Sequence, residues 1–287
     1  MAQKGQLEQL YDKAVKIDDV LQTDYQGLLH HVMTKMIALM KGVSPVFKDL
    51  YRETYYGGSF FDGLKVGSAG QEFDLNIVLG WSARHMEVAR VETDPKNFTY
   101  LLVTDAVLSD SEMAIVATTD GIRHISPIKM FNLLKTTVDR VLTSLGQTME
   151  YEGRSYRVTR HEFAPVTLEI RAVDGSRRCE VDLLPAIKLE LETLATTPSL
   201  YAHVIKICDN YRMIKETRSY MAVPLHKKDK EKFQLDFPDV QRAILYDRGC
   251  AKKVIKLLKY LRDVKGGPMA TLWSYLLKVS SCFFNSS

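Results

Sequence analysis

No run of this chain is long and apolar enough to cross a bilayer, and Met1-Ala2-Gln3-Lys4-Gly5-Gln6 lacks the apolar core of a signal peptide. The expected location is therefore the cytosol, with no membrane partner. Cysteine is sparse: Cys179, Cys208, Cys250 and Cys282 stand far apart, and no C-x-x-C or Cys/His cluster of zinc-ligand spacing appears. That excludes a local structural zinc site and leaves reduced, mostly buried thiols as the expectation. No internal repeat and no low-complexity tract is found. Neither sign of charge dominates, since 39 Lys and Arg against 35 Asp and Glu give a net charge of +4. Such a mildly basic balance permits a polyanionic partner without requiring one.

What is present is a soluble, globular composition of 287 residues, 46% hydrophobic and 26% charged, enough for one large or two ordinary domains with a buried core. The stretch from Gly57 to Leu79 organises it. Gly58-Ser59 makes a glycine-serine turn, a glycine-punctuated connection follows, and then Glu72, Asp74 and Asn76 alternate with Phe73, Leu75, Ile77 and Leu79. Alternate strand residues share a face, so Glu72 and Asp74 point together while the apolar set faces inward. Two ionised carboxylates on one face repel unless a cation lies between them, and magnesium takes oxygen ligands from carboxylates and substrate phosphates. Gly58 and Ser59 can offer backbone N–H groups and a hydroxyl to a phosphate at close range. Cation and phosphate cradle together suggest nucleotide chemistry.

Around this stretch the periodicities predict an α+β fold, a mixed sheet with flanking helices. A long amphipathic helix, a spine from Leu7 to Met40, is expected to end at Gly42 before Pro45. Strands are expected over 84–92, 98–104, 149–159 and 165–173. Ser126-Pro127 is expected to cap a helix running to Gly146. After the turn Asp174-Gly175-Ser176, Cys179 to Leu184 reads as a strand in which Glu180 and Asp182 share a face; Asp182 is the candidate third acid and Glu180 a surface acid. Beyond Glu190 the pattern turns helical, with helices expected over 239–247, 251–264 and 271–284. The predicted division is 1–190 and 191–287.

These residues resemble the cyclic GMP-AMP synthase family, the cGAS-like receptors. The match rests on Gly58-Ser59, Glu72-Phe73-Asp74 and Val181-Asp182, with the preceding spine, the block Phe233-Gln234-Leu235-Asp236-Phe237-Pro238, and Lys253 to Leu261 followed by Leu272-Trp273-Ser274-Tyr275. The resemblance implies a bilobal nucleotidyltransferase fold: a core with the spine helix over 1–190 and a C-terminal helical lobe over 191–287. It implies Glu72, Asp74 and Asp182 as catalytic ligands of Mg²⁺ or Mn²⁺. Ser59 with Gly58, Lys253 and Ser274 are implied on the triphosphate, and Tyr275 stacked on a base. The implied reaction joins ATP and GTP, by attack of a ribose hydroxyl on an α-phosphate, into a cyclic dinucleotide of innate antiviral immunity.

The sequence departs from the vertebrate pattern in three places. Gly249-Cys250 stands where the vertebrate enzyme has a His/Cys zinc insert that helps bind DNA, which favours a zinc-free member activated by double-stranded RNA. Lys13, Lys16, Lys35, Lys41, Lys252 and Lys256 are the candidate contacts to that RNA. Gln234 and Asp236 replace an arginine and a serine of the base-reading strand, exchanging a donor for an acceptor. The sequence stops at Ser287, soon after the serine-tyrosine helix, so either a truncated form or an unusually small C-terminal lobe is expected. Two other readings share the acid cluster: a catalytically silent RNA-binding or scaffold member, and a nucleotidyltransferase making linear oligonucleotides.

Overall fold

The computed structural model describes residues 5, 8–9, 11–15, 19–66, 71–81, 86–90, 98–104, 107–146, 148–162, 166–196, 202, 219–224, 231–246 and 249–265. Helix α1 (Asp19–Val43) buries Leu28, Leu29, Val32, Met33, Met36 and Met40, each 1% exposed or less, on one side. Spacings of three and four residues put them on one stripe, and each such side chain contributes about 1.5–3 kcal/mol on burial. Ahead of it Tyr11–Val15 forms a wide helical turn, and residues 16–18 of the predicted spine lie outside the described residues. Ser44 stops α1 and starts α2 (Pro45–Leu50), its Oγ accepting 3.2 Å from the Phe47 N–H and Pro45 supplying the first turn.

The chain then runs through β1 (Tyr51–Gly57), α3 (Gly58–Phe61), β2 (Gln71–Leu79), β3 (Met86–Arg90), β4 (Phe98–Val103), α4 (Asp110–Met113), β5 (Val116–Thr119) and β6 (Ile122–Ile125). Helix α5 (Pro127–Ser144) begins where the sequence predicts, with the Ser126 hydroxyl accepting from the Lys129 N–H. Then come β7 (Thr148–Tyr151), β8 (Arg154–Arg160), β9 (Thr167–Ala172), β10 (Arg178–Glu190), β11 (Ser219–Pro224), β12 (Phe233–Asp236), α6 (Pro238–Leu245) and α7 (Gly249–Lys265).

All twelve strands join one largely antiparallel sheet, so the described residues form an α+β fold. Its axis is β10, a 13-residue strand. β2 runs parallel along one edge of it, while the other edge is shared by β9 near the start and β11 near the end. The main core lies where α1 and α5 pack on this sheet, around Met36, Phe73, Leu75, Leu134, Val138, Ile170 and Val181.

Two expectations change. The single strand predicted over 149–159 is the β7–β8 hairpin, because Glu152 and Gly153 take positive φ of 47° and 72° and turn the chain. The region beyond Glu190, expected to be helical, returns two strands to the sheet, with Tyr220, Met221, Ala222 and Phe233 2% exposed or less. The helix expected over 271–284 lies outside the described residues, as do Cys208 and Cys282. Cys179 is buried as expected, but Cys250 is exposed on the first turn of α7. Among the described residues no helix is long and apolar enough to cross a membrane.

Candidate active site

Strand β2 presents its acids as alternation requires: Gln71, Phe73, Leu75 and Ile77 are buried, while Glu72 and Asp74 are exposed on the opposite face. β10 lies beside it in parallel, with Asp182 opposite Asp74 and Glu180 opposite Glu72. Opposed residues share a face and adjacent strands lie about 4.8 Å apart, so Asp74 and Asp182 are neighbours on one platform.

Each carboxylate is held differently. The Thr167 Oγ1 donates 2.5 Å to Asp182 Oδ1 from the facing position on β9. Gly58, at φ +76°, brings bare backbone so near Asp74 that a Cβ there would stand 1.9 Å from Oδ2. Glu72, its side chain 74% exposed, is turned toward Lys65, whose Nζ lies 3.6 Å from Oε2. Glu180, half-buried, is engaged by Arg178, whose Nη2 donates 2.6 Å to Oε1.

Among the described residues no three His, Cys, Asp or Glu side chains converge to hold a metal as they lie. Asp74 and Asp182 come together; Glu72 is drawn aside. The donor chemistry nonetheless fits magnesium or manganese: three hard oxygen donors stand on one face, and the divergent one is exposed and loosely paired.

Ser59 lies on α3, directly after β1. Its Oγ accepts a 2.8 Å hydrogen bond from the Lys259 Nζ, which also donates 3.2 Å to Leu64 O. Lys259 is only 6% exposed. With Lys65, Arg262, Glu72 and Asp74 these two residues line a polar pocket of about 140 Å³. The structure therefore brings Lys259 to the serine, and not Lys253, which the resemblance suggested. Lys253 sits six residues earlier on α7, about 120° around a helix with 3.6 residues per turn, and its Nζ lies 5.4 Å from the Tyr11 ring centroid. A lysine in the run Lys252 to Lys259 that buries its charge carries no sequence signal of its own; only the partner on α3 distinguishes it.

A second pocket of about 230 Å³ opens on the other side of Asp74, lined among others by Tyr55, Asp62, Gln234, Asp236 and Gln241. The Gln241 Nε2 donates 2.7 Å to Asp236 Oδ1, so the two departures on β12 face this pocket with α6 behind them. Arg242 ties α6 to the glycine-serine turn, donating to Tyr56 O and standing 3.5 Å from Asp62 Oδ1. Its guanidinium lies 4.6 Å from the Tyr55 ring centroid. The Tyr55 hydroxyl donates 3.1 Å to Asp239 Oδ1, and burial pushes its pKa well above the ordinary tyrosine value although Arg242 opposes the shift.

Of the remaining candidates, Ser274 and Tyr275 lie outside the described residues, as do the side chains of Lys13 and Lys16. Lys35 is exposed, and Lys41 Nζ lies 4.2 Å from the Tyr51 ring centroid. Lys252 reaches toward Gly63, and Lys256 Nζ lies 5.8 Å from the Tyr11 ring centroid, beside Lys253.

No family model matches the chain. Individual relatives do. A cyclic GMP-AMP synthase-like receptor of Nicrophorus vespilloides is 26% identical over 271 residues, covering 91% of this chain and 69% of the relative. One of Aethina tumida is 21% identical over 249 residues, 82% of this chain and 59% of the relative. A cyclic GMP-AMP synthase-like protein of Drosophila melanogaster is 23% identical over 284 residues, 97% of this chain and 74% of the relative. The chain is thus similar, along most of its length, to the cGAS-like receptors. It spans between about half and three quarters of the length of the relatives that it matches along most of its own length.

Proposed function

We propose that this chain is a metal-dependent nucleotidyltransferase that joins ATP and GTP into a cyclic dinucleotide second messenger of innate antiviral immunity, with double-stranded RNA as its activator. One observation carries the reading: Asp74 and Asp182 stand opposed on parallel strands, beside a pocket where buried Lys259 grips Ser59. In this reading α1 is the spine of the nucleotidyltransferase fold, β11 and β12 complete its sheet, and the second, helical lobe begins only beyond them, with α6 and α7. The small apolar cluster of Leu64, Leu245 and Ile255, separate from the main core, ties α6 and α7 to the segment that follows the glycine-serine turn.

Ser59 and Lys259 bind the triphosphate of the donor nucleotide, aided by Lys65 and Arg262, and align its α-phosphate with the incoming ribose hydroxyl. The new O–P bond forms at that phosphorus as the bond to the leaving pyrophosphate breaks, and a second round of the same displacement closes the ring. Positioning and charge supply most of the rate in such transfers. Glu72, Asp74 and Asp182 would hold Mg²⁺ or Mn²⁺, supplying positive charge against the phosphates and the oxygens of the displacement. The pocket bordered by Gln234 and Asp236 receives a nucleobase. Lys35, Lys41, Lys252 and Lys256 offer charge to the phosphates of a duplex.

The test is incubation of the full chain with all four nucleoside triphosphates and Mg²⁺ or Mn²⁺, with duplex RNA, duplex DNA or neither, and identification of products by mass after phosphatase treatment. A phosphatase-resistant cyclic dinucleotide formed only with RNA is expected. Linear oligonucleotides overturn the cyclase reading. Salt-dependent RNA binding with no product under any condition would favour the inert, RNA-binding reading.

A further inference from the structure

We propose that Thr167 is a positioning residue for the acid cluster, its hydroxyl fixing the Asp182 carboxylate in the orientation that receives a divalent cation. The proposal rests on the nucleotidyltransferase reading of the site. Thr167 opens β9 and stands opposite Asp182 on β10 in an antiparallel pair, so the two side chains rise from one face of the sheet. Its Oγ1 donates 2.5 Å to Asp182 Oδ1, and the residue is only 7% exposed. Its own backbone is held as well: the His161 N–H donates 2.9 Å to Thr167 O, and the Leu183 N–H donates 3.0 Å to the neighbouring Val166 O. Branching at Cβ restricts χ1, so this hydroxyl is aimed by the backbone as well as by the bond it makes.

The consequence lies in the oxygens. A carboxylate free to rotate offers either oxygen to a ligand; with Oδ1 committed to Thr167, Oδ2 is the oxygen assigned to the cation. The three acids differ in this respect. Glu72 has only a 3.6 Å ion pair to Lys65 at an exposed position, and Asp74 is confined by the backbone of Gly58. Asp182 is oriented by a buried neutral hydroxyl, which adds no charge to compete with a cation. Groups that orient metal-binding carboxylates in this way typically change metal affinity about 10–100-fold when removed.

The test is titration of Mn²⁺ into the full chain, read by electron paramagnetic resonance, with thermal melting in parallel. Thr167→Val keeps the branched shape and the burial but removes the donor; about 10–100-fold weaker Mn²⁺ binding is expected with an unchanged melting temperature. Thr167→Ser restores the hydroxyl and is expected to return the affinity to within a few-fold of the parent chain. Should Thr167→Val fail to fold, Thr167→Ala removes the same donor and leaves the same comparison with Thr167→Ser. Asp182→Asn separates the two levels of inference. If Asp182→Asn abolishes Mn²⁺ binding while Thr167→Val leaves it intact, the role of Thr167 is overturned and the site stands. If Asp182→Asn binds Mn²⁺ as the parent does, the reading of the site itself is overturned.

Discussion

Lys259 and Ser59 are joined by a 2.8 Å hydrogen bond although 200 residues separate them. Through this bond α7 closes over the glycine-serine turn and sets a buried positive charge beside the exposed acids. A charge-assisted hydrogen bond contributes about 1.5–3 kcal/mol, so Lys259→Met is expected to raise the KM for nucleoside triphosphate about 10–100-fold. Lys253→Met, about 120° around the same helix at an exposed position, is expected to change it less than about twofold, since long exposed side chains hold little. Steady-state kinetics of the two variants, with melting temperatures as the check on folding, decide between these residues. Equal effects would mean that the bond to Ser59 is structural only.

Asp74 and Asp182 stand opposed on parallel strands spaced about 4.8 Å apart, a like-charge pair on one face of the sheet. Asp74→Asn is expected to lower dinucleotide synthesis at least about 100-fold while the melting temperature holds or rises, because one of two repelling charges is gone. Glu72→Gln is expected to be as severe in activity and milder in stability, since it surrenders only an exposed pairing with Lys65. Product yield plotted against melting temperature for both variants shows whether activity and stability move apart. A parallel loss of both would assign the acids to folding instead.

Cys179 lies on β10 beside the acidic face but is 1% exposed, and burial together with the charge of Glu180 pushes its pKa up to about 12. In the unfolded chain the thiol titrates near about 8.5. A folded value above the unfolded one stabilises the fold in full below about pH 8.5, and the contribution is lost as pH rises from there toward 12. Melting temperature is therefore expected to fall with alkaline pH more steeply in the parent than in Cys179→Ala. Thiol labelling at pH 8 gives a second reading: exposed Cys250 reacts in the native protein, Cys179 only after unfolding. Native labelling of Cys179 would contradict its burial.

Elements with a strong local signal were legible before any coordinates. The alternation in β2, the Ser126-Pro127 start of α5 and the shared face of Glu180 and Asp182 are all short-range properties of a strand or a cap. Other elements have a local signal as well: Asp120-Gly121 turns the β5–β6 hairpin with both residues at positive φ, and Ser109 with Glu112 forms a capping box on α4. Of the two strands beyond Glu190, β12 is implied by the resemblance, while β11 is hidden because it pairs with residues far away in sequence, and pairing of that kind leaves no local mark. The same holds within the site. Lys259 and Thr167 act on partners supplied by other elements, so only the sheet register and the packing of α7 reveal them.

Gly58 provides the sharpest test of the site because backbone and chemistry coincide there. Its φ of +76° favours glycine, and an added Cβ would meet Asp74 at Oδ2, Cγ and Cβ, at 1.9, 2.7 and 2.8 Å. Gly58→Ala is expected to cost about 1 kcal/mol for the backbone alone. It also forces the Asp74 carboxylate out of its place opposite Asp182, so activity falls further than stability does. Gly57→Ala is the matched control one residue earlier: φ is −117° there, and a Cβ would meet nothing nearer than 3.7 Å, an ordinary contact. That variant is expected to melt within about 2 °C of the parent, the shift of a few tenths of a kcal/mol in a chain of this size, and to keep most of its activity. Loss of product in Gly58→Ala alone, at a melting temperature only a few degrees lower, is the outcome that the close approach to Asp74 requires. If the alanine at position 58 leaves product formation intact, the approach of that backbone to Asp74 has no part in the chemistry.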